Sequence, residues 1–143
     1  MRAGFYNIRG FGRPGRRTHI KDFISRERLD FVGLQETIKS SFSTAELMSI
    51  DPGGKFSWHS MPAQGHSGGM LVGVNEDAFE VLEWRGGAFH IRVDVRQLDN
   101  SSTWSLFVVY GPADHRRSQD FLLELSAAVS ACPLPLVVGG IST

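Results

Sequence analysis

The sequence predicts an α/β fold, and three observations carry that expectation. The front of the chain alternates an apolar strand, a helix and a second apolar strand. The middle holds a run of strand-like segments separated by turn residues. The end adds a second helix and then another apolar strand. The length, 143 residues, suits about one domain. Hydrophobic residues make up 41% and charged residues 21%, a globular balance that excludes a disordered or coiled-coil chain.

Each element follows from its local sequence. Ala3–Arg9 is a short strand with Phe5 and Ile8 apolar, ended by Gly10, Gly12, Pro14 and Gly15. A helix is expected from about Arg16 to Arg28. Ile20, Phe23 and Ile24 share one face at helical spacing, and Pro14 stands where a helix can begin. Leu29–Gln35 is a mostly apolar run suited to a buried strand. These three elements form a βαβ unit, so the two strands should run parallel across a right-handed crossover. Phe56–Met61, Met70–Val74, Phe79–Trp84, Phe89–Arg96 and Trp104–Tyr110 then read as the strands of a meander. In one of them Phe89, Ile91, Val93 and Val95 alternate with His90, Arg92, Asp94 and Arg96, the pattern of a half-buried strand with one wet face. A second helix is expected from about His115 to Ala131, with Phe121, Leu122, Leu125, Ala128 and Val129 as its apolar stripe. Pro133 stops it, and Leu134–Val138 is a further strand leading to Gly139 and Gly140.

The formal net charge is zero, but it is unevenly spread. Residues 1–28 carry eight Lys/Arg against two Asp/Glu, and residues 29–143 carry seven against thirteen. A basic front permits contact with phosphates. No apolar run approaches the ~18 residues of a membrane span, and the Arg-rich start lacks the apolar core of a signal peptide. No membrane partner is expected, and an intracellular location, the nucleus included, fits. The single cysteine, Cys132, excludes a disulfide framework and a cysteine zinc cluster. Trp58, Trp84 and Trp104 read as sheet-packing residues.

Gly10 to Gly15 spell G-x-G-x-x-G between a strand and a helix, and the acid Glu36 follows at the end of the next strand. That is the outline of a dinucleotide-binding turn. Two features count against it. Pro14 removes a backbone donor from the turn, and the chain continues as a β-meander instead of a further α/β alternation.

Three polar residues end apolar strands: Asn7 in Phe-Tyr-Asn-Ile-Arg-Gly, Glu36 in Gly-Leu-Gln-Glu-Thr, and Tyr110 in Val-Val-Tyr-Gly-Pro. Parallel strands present their carboxyl ends on one sheet edge, where α/β folds place ligands, so Asn7 and Glu36 should converge. A carboxamide oxygen and a carboxylate are hard donors, suited to a hydrated Mg²⁺ or Mn²⁺ that bridges protein and phosphate.

Asn-x-Arg-Gly, Gly-Leu-Gln-Glu-Thr, the Ser-Gly-Gly of Ser67–Gly69, Tyr-Gly-Pro and Val-Val-Gly-Gly run in order from Asn7 to Gly140. Together they resemble the endonuclease/exonuclease/phosphatase superfamily, most closely the endonuclease domain of plant LINE-type (non-LTR) retrotransposons. The resemblance implies a two-sheet α/β sandwich of the DNase I-like type. It implies metal-dependent hydrolysis of a phosphodiester, here DNA nicking, with Mg²⁺ or Mn²⁺ as cofactor and DNA as partner. By the same resemblance Glu36 would be the direct metal ligand. Asn7 would orient the metal or the scissile phosphate, and Tyr110 would hydrogen-bond a phosphate oxygen. Arg9, Arg13, Arg16 and Arg17 would grip backbone phosphates, contacts that carry no sequence information.

The pattern breaks after Gly140. Members of the superfamily continue with Asp-Phe-Asn, whereas Ile141, Ser142 and Thr143 stand here. An isoleucine cannot position a water, and a threonine lacks the amide. The superfamily's later Ser-Asp-His motif has no counterpart. His19, His59, His66 and His90 come too early in the pattern to replace its histidine, and His115 is expected to open a helix. Residues 1–143 therefore read as the N-terminal part of one such domain, an incomplete sandwich with a sheet face and an edge left open. No more than trace nuclease activity is expected. The alternative is a non-catalytic remnant whose basic loop binds nucleic acid weakly.

Overall fold

β1 (Ala3–Asn7), α1 (Arg16–Arg26) and β2 (Phe31–Gln35) form the expected βαβ unit, with β1 and β2 parallel from Ala3↔Phe31 to Asn7↔Gln35. The computed structural model describes residues 1–63, 68–112 and 114–141. α1 opens on Gly15, whose φ of 76° lies in the left-handed region that glycine adopts without steric penalty. It closes at Arg26, two residues before the expected Arg28, and Arg28 turns the chain at φ 51°. The backbone N–H groups of Asp30 and Phe31 both donate to the Arg2 carbonyl, at 2.7 and 3.1 Å, so β2 begins two residues into the Leu29–Gln35 run.

α2 (Thr44–Ile50) was not foreseen, although Ser43 and Glu46 spell a capping box. The Ser43 hydroxyl accepts from the Glu46 N–H at 3.1 Å, and the Glu46 carboxylate accepts from the Ser43 N–H at 2.9 Å. Lys39 Nζ lies 2.6 Å from the same carboxylate. The hydrogen bond from Lys39, then that from the Ser43 backbone, holds the Glu46 carboxyl down to about 2.

β3 (Phe56–Met61) and β4 (Met70–Asn75) complete the first sheet in the order β1-β2-β4-β3, with β4 antiparallel to both neighbours. The middle strands are thus not one meander, because β3 and β4 stay with the βαβ unit and the later strands form a second sheet. Ile8, Phe11, Ile20, Leu34, Ile50 and Leu71 are among the buried residues of the first core. Each such side chain contributes about 1.5–3 kcal/mol by leaving water.

Met1–Asp77 form one compact unit and Ala78–Thr143 a second. The second unit holds β5 (Phe79–Gly86), β6 (His90–Gln97), β7 (Thr103–Tyr110), a 3₁₀ turn (His115–Arg117), α3 (Ser118–Ser130) and β8 (Leu136–Ile141). Its sheet runs β5-β6-β7-β8. The first three strands are an antiparallel meander, and β8 lies parallel to β7 after the α3 crossover.

Two expectations fail in this unit. β6 has no wet face, since His90 through Val95 are all buried. Its polar side chains pair instead of meeting water. Arg92 donates to both oxygens of Asp94 at 2.9 and 3.1 Å, and the Ser105 hydroxyl donates to Asp94 Oδ1 at 2.6 Å. His90 Nδ1 lies 2.8 Å from the Glu124 carboxylate on α3. The polar residues of the alternation are thus satisfied within the protein, by α3 at His90 and by β7 at Asp94. The apolar stripe of α3 is also narrower than its spacing suggests. Phe121 meets Phe89 edge-on at 5.7 Å, whereas Leu122 is 61% exposed. β8 is an edge strand, with Val137 and Val138 each more than two-fifths exposed.

Candidate functional site

The carboxyl ends of β1 and β2 bring Asn7 and Glu36 to one edge of the first sheet. Asn7 is the last residue of β1 and pairs with Gln35, and Glu36 follows immediately. The Asn7 side-chain oxygen accepts the Arg9 N–H at 3.1 Å, closing a local turn. That bond fixes the carboxamide and leaves its NH₂ as the group able to donate outward. Glu36 is half-buried with φ 55°, and Ile38 repeats the same left-handed backbone at φ 56°. Such conformations cost about 1–3 kcal/mol each in a residue with a side chain and persist only where the surroundings enforce them.

Those surroundings are backbone hydrogen bonds on two sides. From the β1–α1 loop, Ile8, Gly10 and Phe11 donate to the carbonyls of Gln35, Glu36 and Thr37 at 3.0, 2.8 and 2.9 Å. From the approach to β4, the carbonyls of Gly69 and Gly68 accept the N–H groups of Thr37 and Ile38 at 3.4 and 2.7 Å. The same bonding answers the dinucleotide reading. Gly10 and Phe11 spend their N–H groups on β2's exit, Arg13 and Arg16 donate within the loop at 3.5 and 3.0 Å, and Pro14 has none to give. These four N–H groups are therefore committed within the fold and are not free for a pyrophosphate.

The four arginines are not equivalent. Arg9 and Arg13 are exposed. Arg17 stacks its guanidinium 5.1 Å from the Phe11 ring and lies 3.6 Å from Glu46, so its charge already has a partner. Arg16 is half-buried, and its Nε has no hydrogen-bond partner among the described residues. A cleft of about 580 Å³ opens at the other end of the first sheet, beside the start of β3 and the end of β4. Ile24, Leu29 and Ile50 line it with Lys21 and Arg28, and neither Asn7 nor Glu36 takes part.

Tyr110 ends β7 in the second unit, in register with Ile141 of β8. Its backbone N–H donates to the Phe89 carbonyl at 2.8 Å. Glu124 binds the turn that supplies this partner, accepting the N–H groups of Ala88 and Phe89 at 2.7 and 2.8 Å besides approaching His90. Burial alone would raise the Glu124 pKa, but these bonds outweigh it and hold the carboxyl below its usual value. Sequence reasoning missed Glu124 because its partners lie 34 to 36 residues away with no shared motif. His90 is buried against Glu124 and Phe107, and burial lowers the pKa of His59. His66, Ser67, Ser142 and Thr143 lie outside the described residues.

Among the described residues no three His, Cys, Asp or Glu side chains gather as a metal cage. The donors at the β1–β2 edge are one carboxylate beside one carboxamide. That set suits a Mg²⁺ or Mn²⁺ that keeps most of its waters, and it does not suit a tetrahedral zinc site.

An α/β fold of two four-stranded mixed sheets, with hard oxygen donors at the carboxyl ends of parallel strands, defines the class. The chain belongs to the Endonuclease/Exonuclease/phosphatase family, which matches residues 4–140. Enzymes of this family generally depend on a divalent metal. No curated protein sequence matches the chain significantly. Among solved structures, the human Nocturnin catalytic domain with bound sulfate is similar at a TM-score of 0.74 and 15% identity, covering 98% of this chain and 62% of that one. D. rerio TDP2 complexed with a single-strand DNA product gives 0.71 and 10%, covering 96% and 58%. The AP endonuclease LMAP from Leishmania major gives 0.62 and 15%, covering 95% and 53%. At these identities the likeness establishes the fold. The chain spans 60–63% of the length of the first three solved structures it matches.

Proposed function

We propose that the chain carries residues of a metal-dependent phosphodiesterase site of the DNA-nicking kind, from a LINE-type retrotransposon endonuclease lineage. The observation that supports this reading is the placement of Asn7, which pairs with Gln35, and of Glu36 just beyond it at one strand edge, with Glu36 held in a strained left-handed conformation. Glu36 would hold a Mg²⁺ or Mn²⁺, which supplies charge neutralisation at the phosphate when bound. Asn7, its oxygen tied to Arg9, would donate its NH₂ to a phosphate oxygen. Exposed Arg9 and Arg13 would meet the flanking backbone, with Arg16 and Arg17 behind them, and Tyr110, considered within its own unit, would keep the phosphate-binding role that the resemblance implies. A nuclear location follows from a DNA substrate.

At most trace activity is expected of residues 1–143, because the superfamily's pattern is altered at two positions. Ile141 and Thr143 replace the acid and amide that the resemblance calls for. Supercoiled plasmid incubated with the chain and Mg²⁺ should show at most trace nicking. Robust turnover, abolished by Glu36→Ala, would overturn the inactivity.

A second reading, a non-catalytic remnant that binds nucleic acid weakly, draws on the exposed Arg9 and Arg13 and the basic first 28 residues. DNA association that weakens with salt and survives Glu36→Ala would favour it.

A further inference from the structure

We infer that Gly69 is a positioning residue for the Glu36 carboxylate, an inference that rests on the metal-binding role proposed for Glu36. Glu36 and Ile38 both sit at positive φ, so the segment between them would relax unless held. One side is held by the β1–α1 loop. The other is held by Gly68 and Gly69, whose carbonyls take the N–H groups of Ile38 and Thr37.

Only a residue without a side chain can stand at position 69. A Cβ there would lie 2.7 Å from Thr37 Oγ1 and 3.0 Å from the Ala63 backbone nitrogen. The φ of +86° would strain any L side chain as well. Thr37 is fully buried, and its hydroxyl has no hydrogen-bond partner among the described residues. It occupies the place where a Gly69 side chain would go. Ala63 is itself tied to the same segment, donating to the Lys39 carbonyl at 2.8 Å. A methyl group at position 69 must therefore push the β4 approach away from Thr37 and Ile38, release one wall of the segment and let Glu36 leave its left-handed conformation. This gives the glycines of Ser67–Gly69 a purpose beyond strand geometry.

The test uses the full chain labelled with ¹⁵N and titrated with Mn²⁺, whose paramagnetism broadens nearby amide signals. In the unmodified chain broadening should centre on residues 7–10 and 35–38 and vanish in Glu36→Gln. Broadening that ignores Glu36→Gln removes the proposed metal role and this inference with it. If Glu36 matters, Gly69→Ala should weaken Mn²⁺ binding at least tenfold. Gly73→Ala is the control for general strain, because its Cβ would meet the Trp58 ring at 2.5 Å within the same sheet. It should lower stability yet keep Mn²⁺ affinity within twofold. Adding Thr37→Ala to Gly69→Ala removes the nearest clashing atom and should recover part of the affinity. A folded Gly69→Ala that binds Mn²⁺ within twofold of the unmodified chain overturns the inference while leaving the role of Glu36 intact. Hydrogen exchange in the unmodified chain tests the strap whichever variants fold. Thr37 and Ile38 amides should exchange slowly, and exchange at the unstructured rate overturns it.

Discussion

Removing the charge of Asp94 should cost far more than its place on an alternating strand suggests. Asp94 and Arg92 are each less than one-tenth exposed at their side chains, and two hydrogen bonds join them. Ser105 adds a third bond to the carboxylate, and the Arg92 guanidinium lies 5.6 Å from the Phe107 ring. Asp94→Asn keeps the shape but leaves a buried guanidinium facing a neutral amide. Breaking such a pair from one side costs about 3–5 kcal/mol, a large share of the about 5–15 kcal/mol that holds a typical domain together. The triple variant Arg92→Met, Asp94→Leu and Ser105→Ala removes the charges and the hydroxyl together. It should be no less stable than Asp94→Asn alone, because well-packed apolar replacements of buried pairs are often neutral or stabilising. Urea unfolding followed by tryptophan fluorescence reads both, with Trp84 and Trp104 reporting on this unit. A cost below about 1 kcal/mol for Asp94→Asn, the behaviour of an exposed pair, would refute the reasoning.

Three further outcomes follow from the same geometry. The folded state lowers the Glu124 pKa below its ordinary value of 4.5, so its contribution to stability is complete above that pH and lost as pH falls through the lowered value. Urea midpoints taken from pH 7 down to pH 3 should fall less steeply in Glu124→Gln than in the unmodified chain, and equal slopes would contradict this. Ser43→Ala should destabilise the first unit by about 1 kcal/mol through loss of the α2 cap, measured by the same unfolding curves. Arg17→Ala should weaken DNA association less than Arg13→Ala, since Arg17 already faces Glu46. Fluorescence anisotropy at low salt measures the difference.

The parts of the fold that local pattern dictates were legible in the sequence. The β1-α1-β2 unit, the meander of β5 to β7 and the α3-β8 end all follow from apolar spacing and from Gly and Pro punctuation. The placement of Asn7 and Glu36 at one edge was legible for the same reason, because two parallel strands must finish together. What escaped was set by long-range contacts. On the face assigned to solvent in β6, His90 meets Glu124, 34 residues further on, and Arg92 and Asp94 bond each other and Ser105 of β7. The contact of Arg17 with Glu46 was unseen for the same reason, because Glu46 belongs to α2, a helix missed despite its capping box. The support around Glu36 was invisible because it is made of backbone carbonyls and of a side chain that Gly69 lacks.

Whether Glu36 and Asn7 form a cation-responsive edge can be read from a Mg²⁺ titration of the full chain followed by amide chemical shifts. Shift changes should concentrate at Asn7 to Gly10 and Gln35 to Ile38 and disappear in Glu36→Gln. Changes centred on the Asp22, Asp30 and Asp51 carboxylates at the opposite cleft, or a response unaltered by Glu36→Gln, would contradict it.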